Sequence, residues 1–369
     1  PFCIRKCNYC DFLSFGGVAE ETQKEYFQAL IKEIALCGMI YGNQYYVDSV
    51  FIGGGTPSLA AEGLIDSLLA AVRSCFAVGP DAEISIESNP KTLTKNKLTA
   101  YLDAGINRLS IGAQSLDDRL LAYMGRVHTR EDFLQNYQLA RECGFRNINL
   151  DLMFAIPGQT EELWSATLKS ALALEPEHIS FYSLQIEEGT PFYSMFRDGS
   201  LKQTEDELDR AMYHRALRML KGSCYLHYEI SNAAREGYRC RHNLKYWSME
   251  DYLGLGLGAH SYMDGTRSGN LTDMREYIRA AGSRDEWRHE NSKEDDVTEY
   301  LITGMRKLEG IDLRDFERRF QKPIEDCFPE NWRSVENYIA EGYLIKSEKS
   351  MRFTIKGIDI SNTILREFV

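Results

Sequence analysis

Apolar runs short enough to be strands alternate with amphipathic helical stretches over the first 220 residues, and this rhythm restricts the fold more than any other feature of the chain. Strands are expected at 49–52, 83–88, 108–112, 147–153 and 178–184, and helices at 21–36, 63–75, 94–104, 130–143, 161–174 and 205–220. Successive strands start 25 to 39 residues apart, enough for a strand, a crossover helix and two loops. Such spacing implies parallel strands and an α/β layer or barrel. A second segment, 221–296, is rich in Gly, Tyr and His and less periodic. From 297 to 369 the pattern changes again: helices at 297–307, 313–320 and 332–341, then strands at 343–345 and 351–355 around a polar turn. That order suggests a small α+β, winged-helix-like module.

Composition narrows the function. The net charge of −12 and pI near 5.2 argue against a surface built for nucleic-acid phosphates, so the terminal module is expected to be structural or a lid. No apolar run approaches the roughly 20 residues of a membrane span, and no secretory leader is evident. Nine cysteines, an odd number, fit a reducing cytoplasm better than a disulfide framework. Six of them, Cys37, Cys75, Cys143, Cys224, Cys240 and Cys327, are scattered and are expected to be small buried apolar groups.

The other three, Cys3, Cys7 and Cys10, form C-x3-C-x2-C in PFCIRKCNYCDF. Three soft thiolates on one loop suit an iron–sulfur cluster, and with four irons in a cubane they leave one iron open for chemistry. A zinc site would want a fourth Cys or His nearby, and the next histidine is His128. Simple thiols are the remaining alternative.

Functional groups in β/α folds gather at the carboxyl ends of strands. The first visible strand runs into Gly53-Gly54-Gly55-Thr56, a turn whose backbone can approach a ligand, or a plain tight loop. The next ends at Glu87, suited to the hydroxyls of a ribose or to solvent, and the next at Gln114, with Arg126 twelve residues on. Asp151 lies inside the apolar run NLDLM, where a charge is costly unless paired or liganded, Arg126 being the obvious ion-pair partner.

The cysteine spacing is the hallmark of the radical S-adenosylmethionine (SAM) superfamily. With GGGTPS, IESNP, GAQS, GR-x-H and DLMFAIPGQT, the whole chain resembles the oxygen-independent coproporphyrinogen III oxidase group. The resemblance implies a partial (β/α)6 barrel over 1–220 whose first strand lies upstream of Pro1, a 221–296 extension closing the barrel mouth, and a 297–369 C-terminal module. It implies a 4Fe–4S cluster on Cys3, Cys7 and Cys10, and SAM contacts from Gly54, Gly55, Thr56 and Glu87. Gln114, Arg126 and Asp151, with Tyr9, match positions that hold a second SAM in the decarboxylating members. Cleavage of SAM by the reduced cluster, giving a deoxyadenosyl radical, is the implied chemistry, with a flavodoxin or ferredoxin as electron donor.

Two features divide the group. Decarboxylases carry another cysteine two residues after the triad, where this chain has Phe12. The chain also has His242-Asn243-Leu244-Lys245-Tyr246-Trp247, an HN-x2-YW motif after YEISN, as in the HemW-type haem chaperones. That resemblance implies haem as ligand, haem-acceptor proteins as partners, and haem contacts from His242, Asn243, Tyr246 and Trp247. His242 offers an imidazole and the aromatics flat faces, although a hydrogen-bonded core histidine and ordinary core packing account for the same residues. The alternative function is the oxidative decarboxylation of coproporphyrinogen III. GLGLGAHS (254–261) lacks the strand–turn–helix setting of a dinucleotide loop, and His260 is expected near SAM on the resemblance. His128, His178, His214, His227 and His289 show no constellation around them.

Overall fold

The computed structural model describes residues 1–280, 282 and 285–369. After a short parallel pair, β1 (Phe2–Cys3) and β2 (Phe15–Gly16), five parallel strands follow: β3 (Tyr46–Ile52), β4 (Ala77–Ser88), β5 (Arg108–Gln114), β6 (Ile148–Phe154) and β7 (His178–Ser183). Two antiparallel strands, β8 (Leu226–Glu229) and β9 (Asn232–Ala234), extend the sheet in the order β3-β4-β5-β6-β7-β9-β8. The sheet curls into a half-barrel with β3 and β8 at its edges.

The helices of the barrel are α1 (Glu20–Tyr41), α2 (Leu64–Cys75), α3 (Lys95–Asp103), α5 (Arg130–Cys143), α6 (Glu161–Ala173) and α8 (Asp206–Lys221), with the short α4 (Asp118–Tyr123) and α7 (Pro191–Arg197) packed in a separate apolar cluster. Their starts follow from caps: Thr94, Thr129 and Thr160 each accept a backbone N–H of the first turn, Thr129 within a capping box closed by Asp132. Each strand and helix expected within residues 21–220 is present, with ends shifted by up to six residues. The sequence reading did not anticipate α4 and α7, which at six and seven residues are too short to display a helical period.

Alternation along the strands sorts the two faces. Ile84 and Ile86, Leu109 and Ile111, Leu150 and Leu152, and Ile179 and Phe181 turn outward into the core under the helices. Between them Glu83, Ser85 and Glu87, Arg108, Ser110 and Gly112, Asn149 and Asp151, and His178 and Ser180 point inward, with the ladder placing Gly112 beside Asp151 and Asp151 beside Ser180. The barrel lumen is therefore polar.

Beyond the barrel come α9 (Arg241–Trp247), the antiparallel sheet β10 (His260–Met263), β11 (Thr266–Asn270) and β12 (Asp285–Glu290), and α10 (Met274–Ala280). The C-terminal module comprises α11 (Lys293–Gly304), β13 (Ile311–Asp312), α12 (Leu313–Phe320), α13 (Ile324–Cys327), α14 (Trp332–Ala340), β14 (Leu344–Lys346) and β15 (Ser350–Phe353). Its expected hairpin is a three-stranded sheet, because the two-residue β13 joins β15. One hydrophobic core runs from Ile84 in the barrel to Val297, Leu301 and Phe368 in this module. Among the described residues no helix is long and apolar enough to cross a membrane. Of the six scattered cysteines, Cys37 and Cys240 are buried but Cys224 is exposed, correcting that expectation.

Candidate functional site

The carboxyl ends of β3 to β7 open into a cleft of about 520 Å³. Cys3, Cys7 and Cys10 line it together with Tyr9, Gly54, Gly55, Thr56, Glu87, Gln114, Arg126, Asp151 and Asn243. The structure thus gathers the three thiols and every residue expected at SAM except His260 around one cavity.

The cysteine loop is fixed from both sides. Thr56 N donates to Phe2 O at 2.7 Å, and a Cβ on Gly55 would lie 2.8 Å from that oxygen, so the position requires glycine. Gly54, with φ +107°, turns the chain and donates its N–H to Glu87 Oε2 at 3.1 Å. Across the loop, Asn8 Nδ2 donates to Tyr123 O (2.8 Å) and Arg5 Nη2 to Gly125 O (2.6 Å), tying the loop to the end of α4. Phe192 N, at the start of α7, donates to Asn8 O at 2.9 Å. The two helices missed from sequence therefore hold this loop in place.

The donor set fits an iron–sulfur cluster in number and kind: three free, half-buried thiols. Among the described residues no three His, Cys, Asp or Glu side chains converge as they would on a single ion.

Arg126 links the parts. Its Nη1 faces Cys7 Sγ at 3.6 Å, and its Nη2 donates to Gly112 O at 2.7 Å and to Asn89 Oδ1. Asn89 Nδ2 donates to Thr56 Oγ1 (2.7 Å), which lies 3.5 Å from Cys3 Sγ. Gln114 adopts φ +62°, unusual for a non-glycine residue, and its Oε1 accepts from Tyr182 OH at 3.0 Å.

Asp151 makes no hydrogen bond or ion pair to Arg126. It accepts from Ser110 Oγ (2.9 Å) and Asn149 Nδ2 (2.8 Å), and the nearby cation is Arg108. Burial raises its pKa despite these donors. Burial, reinforced by the Asp151 charge, pushes Glu87 up to about 8, against the opposing Gly54 N–H and Arg108. Two carboxyls thus line the cleft, and the buried Arg108 beneath it is the cation that opposes the rise of both.

A lower layer was not singled out from sequence. Asn149 Oδ1 accepts from His178 Nδ1 (2.6 Å), and His178 Nε2 meets Tyr228 OH at 2.8 Å. His178 therefore has a constellation after all, a chain of hydrogen bonds running down from Asp151. Its sequence signal is the two-residue alternation of polar residues within β4 to β7, which continues inward from the strand ends. His214 bonds Asp359 at 2.9 Å and His289 bonds Asp295 at 3.3 Å, both away from the cleft.

The HN-x2-YW motif lies on α9, whose turn separates its members. Glu83 caps this helix, accepting from Arg241 N and His242 N at 3.1 Å each. Asn243 faces the cleft, whereas His242 and Tyr246 line a separate groove of about 340 Å³ along β3 and α1. His242 Nδ1 meets Ser49 Oγ and its Nε2 meets Tyr246 OH, both at 2.9 Å, while its ring stacks on Phe51. Trp247 lies under the Arg306 guanidinium at 4.5 Å. The four residues expected to meet haem do not share one surface.

His260 lies outside the cleft, with its ring 5.4 Å from Trp287 on the β10–β12 sheet. The preceding glycine turn is drawn to α1 instead: Gly256 N donates to Glu33 Oε2 (2.9 Å) and Leu257 N to Tyr26 OH (3.3 Å). His260, expected near SAM, thus does not line the cleft that gathers the other residues expected there.

Residues 1–171 match the model of the radical SAM superfamily, and 291–360 that of the HemN C-terminal domain. The chain is 35% identical to the heme chaperone HemW of Bacillus subtilis, over 100% of this chain and 97% of that protein. It is 33% identical to the heme chaperone HemW of Escherichia coli, over 100% and 96%. A mouse relative, radical S-adenosyl methionine domain-containing protein 1, mitochondrial, is 32% identical over 99% of this chain and 85% of its own length. Among solved structures, coproporphyrinogen III oxidase (HemN) from Escherichia coli superposes with a TM-score of 0.87 at 23% identity, covering 100% of this chain and 88% of that one. The last likeness concerns the fold.

Proposed function

The chain belongs to the radical SAM superfamily and, within it, to the family of the HemW proteins, and from that premise we propose that it is a cytoplasmic haem chaperone. Its full-length identity to proteins named heme chaperone HemW carries the reading. In it Cys3, Cys7 and Cys10 hold a 4Fe–4S cluster, and SAM binds across Gly54, Gly55, Thr56 and Glu87, which line the cleft beside them. Such a cluster supplies an electron to SAM when reduced.

The chain's own groups set the stage. Gly54 N–H orients the Glu87 carboxyl toward the cleft, and Thr56 and Arg126 flank the Cys3 and Cys7 sulfurs. Gln114, Arg126, Asp151 and Tyr9 would contact a further part of the ligand. Haem is the cargo, and haem-acceptor proteins and a flavodoxin- or ferredoxin-like donor are the partners. Asn243 is the motif residue placed to meet a cleft ligand, and His242 can ligate iron only by giving up Ser49 or Tyr246.

The test is anaerobic reconstitution with iron and sulfide, followed by haem titration watched by absorption and an assay for coproporphyrinogen III oxidation. Stoichiometric haem binding without decarboxylation is expected, with the cluster lost in the Cys3→Ala, Cys7→Ala, Cys10→Ala variant. Coproporphyrinogen turnover without haem binding would make the protein a biosynthetic oxidase instead.

A further inference from the structure

The lining of the cleft includes Ser231, in the turn between β8 and β9, and Asn232, the first residue of β9. Asn232 is 6% exposed, and its Oδ1 meets no hydrogen-bond partner among the described residues. Its Nδ2 donates to Glu229 Oε1. Glu229 is fully buried and also accepts from Ser231 N at 3.2 Å. An ionised carboxylate only accepts, so the Asn232 amide has one satisfactory orientation: NH2 toward Glu229, carbonyl away from it.

The cation that opposes protonation of Glu229 comes from the C-terminal module. Arg306 Nη2 lies 3.8 Å from Glu229 Oε2 and 3.5 Å from Ser231 Oγ. Its guanidinium stacks on Trp247, and its carbonyl accepts from Ile230 N at 3.1 Å. Burial favours the neutral carboxyl of Glu229, and Arg306 opposes that shift.

We infer that Asn232 Oδ1 is a ligand-facing acceptor in the cleft, and that Arg306 and Glu229 are positioning residues that aim it. The ligand group it takes is an N–H or O–H donor. This inference rests on the proposed function for the two sources of such a donor: an ammonium or hydroxyl of SAM, or an iron-bound water or protonated propionate of haem. A buried carbonyl left unpaired is costly, whereas one paired by a ligand adds to affinity.

The test measures SAM binding by equilibrium dialysis and haem binding by absorption titration, on the full reconstituted chain. Asn232→Leu, which keeps the shape and removes the acceptor, is expected to weaken one ligand by about tenfold. SAM weakened alone assigns the donor to SAM, and haem weakened alone assigns it to haem. Glu229→Gln is expected to weaken the same ligand, because a glutamine NH2 can donate to the Asn232 carbonyl and turn it from the cleft. The double variant Glu229→Gln, Asn232→Asp restores an acceptor facing the cleft and is expected to recover binding, which a merely misfolded wall would not do. Wild-type affinity for both ligands in Asn232→Leu overturns the inference. An effect of Asn232→Leu without one of Glu229→Gln overturns the positioning role. A wild-type protein that binds neither ligand overturns the proposed function and this inference with it.

Discussion

At the scale of single residues, the cleft floor carries an electrostatic conflict that its function has to resolve. Glu87 and Asp151 are both enclosed, both raised in pKa, and share Arg108 as their cation. For Glu87 the folded value, about 8, lies above the ordinary 4.5. Between these values the folded state binds more protons than the unfolded one, so the group's contribution to stability falls as pH rises from about 4.5 to 8. Glu87→Gln removes that dependence. The variant is therefore expected to melt above the wild type by a few degrees, about 2–4 °C per kcal/mol, at pH 8.5, and to lose this advantage near pH 5. Calorimetric melts at the two pH values check it, and an equal difference at both would show that Glu87 is ionised throughout. SAM affinity should move the other way: a carboxylate that accepts two ribose hydroxyls binds better as pH rises toward 8, and Glu87→Gln should flatten that rise.

At the scale of elements, α9 shows what a motif read from sequence can and cannot convey. Residues four apart share a helix face, so His242 pairs with Tyr246 while Asn243, the next residue, points about 100° round the helix from them. The family pattern marks all four side chains as a group; helical geometry gives them separate surroundings. The strands were easier to read, because the inward polar residues Glu87, Gln114 and Asp151 interrupt apolar runs at regular spacing. Glu83, Arg108 and His178 obey the same alternation one layer deeper, and the partners that give them meaning arrive from Tyr228 and α9, more than 40 residues away in the chain. His242 is held by two hydrogen bonds and a stacked Phe51, and burial depresses its pKa to about 4. Loss of both bonds in His242→Ala is expected to cost about 2 kcal/mol at pH 7.5. Because the unfolded histidine takes up its proton near 6.5 and the folded one only near 4, the wild type loses this stability as pH falls through that window. The gap between wild type and variant in denaturant melts should thus narrow by pH 5. A gap that stays constant would mean that His242 is charged in the fold.

At the scale of the whole molecule, the C-terminal module is stitched into the barrel rather than tethered to it. Leu308 N donates to Tyr228 O at 3.1 Å and Ile230 N to Arg306 O, so the segment after α11 pairs with the turn that forms the cleft wall. Arg267 of β11 grips Glu299 of α11, and Asp359 meets both Arg210 and His214 of α8. Beneath these polar links the apolar core is continuous: Val297, Tyr300, Leu301 and Met305 belong to the same cluster as Ile84 and Leu150. Separating module from barrel would bare that surface at roughly 25 cal/mol per Å² and leave Glu229, fully buried, without its cation. The full chain is expected to unfold in one calorimetric transition whose calorimetric and van't Hoff enthalpies agree. Arg306→Ala should lower the midpoint of that transition as a whole, without splitting it. Two resolved transitions, with only the lower one moved by Arg306→Ala, would show that the module folds independently and that the cleft wall does not depend on it.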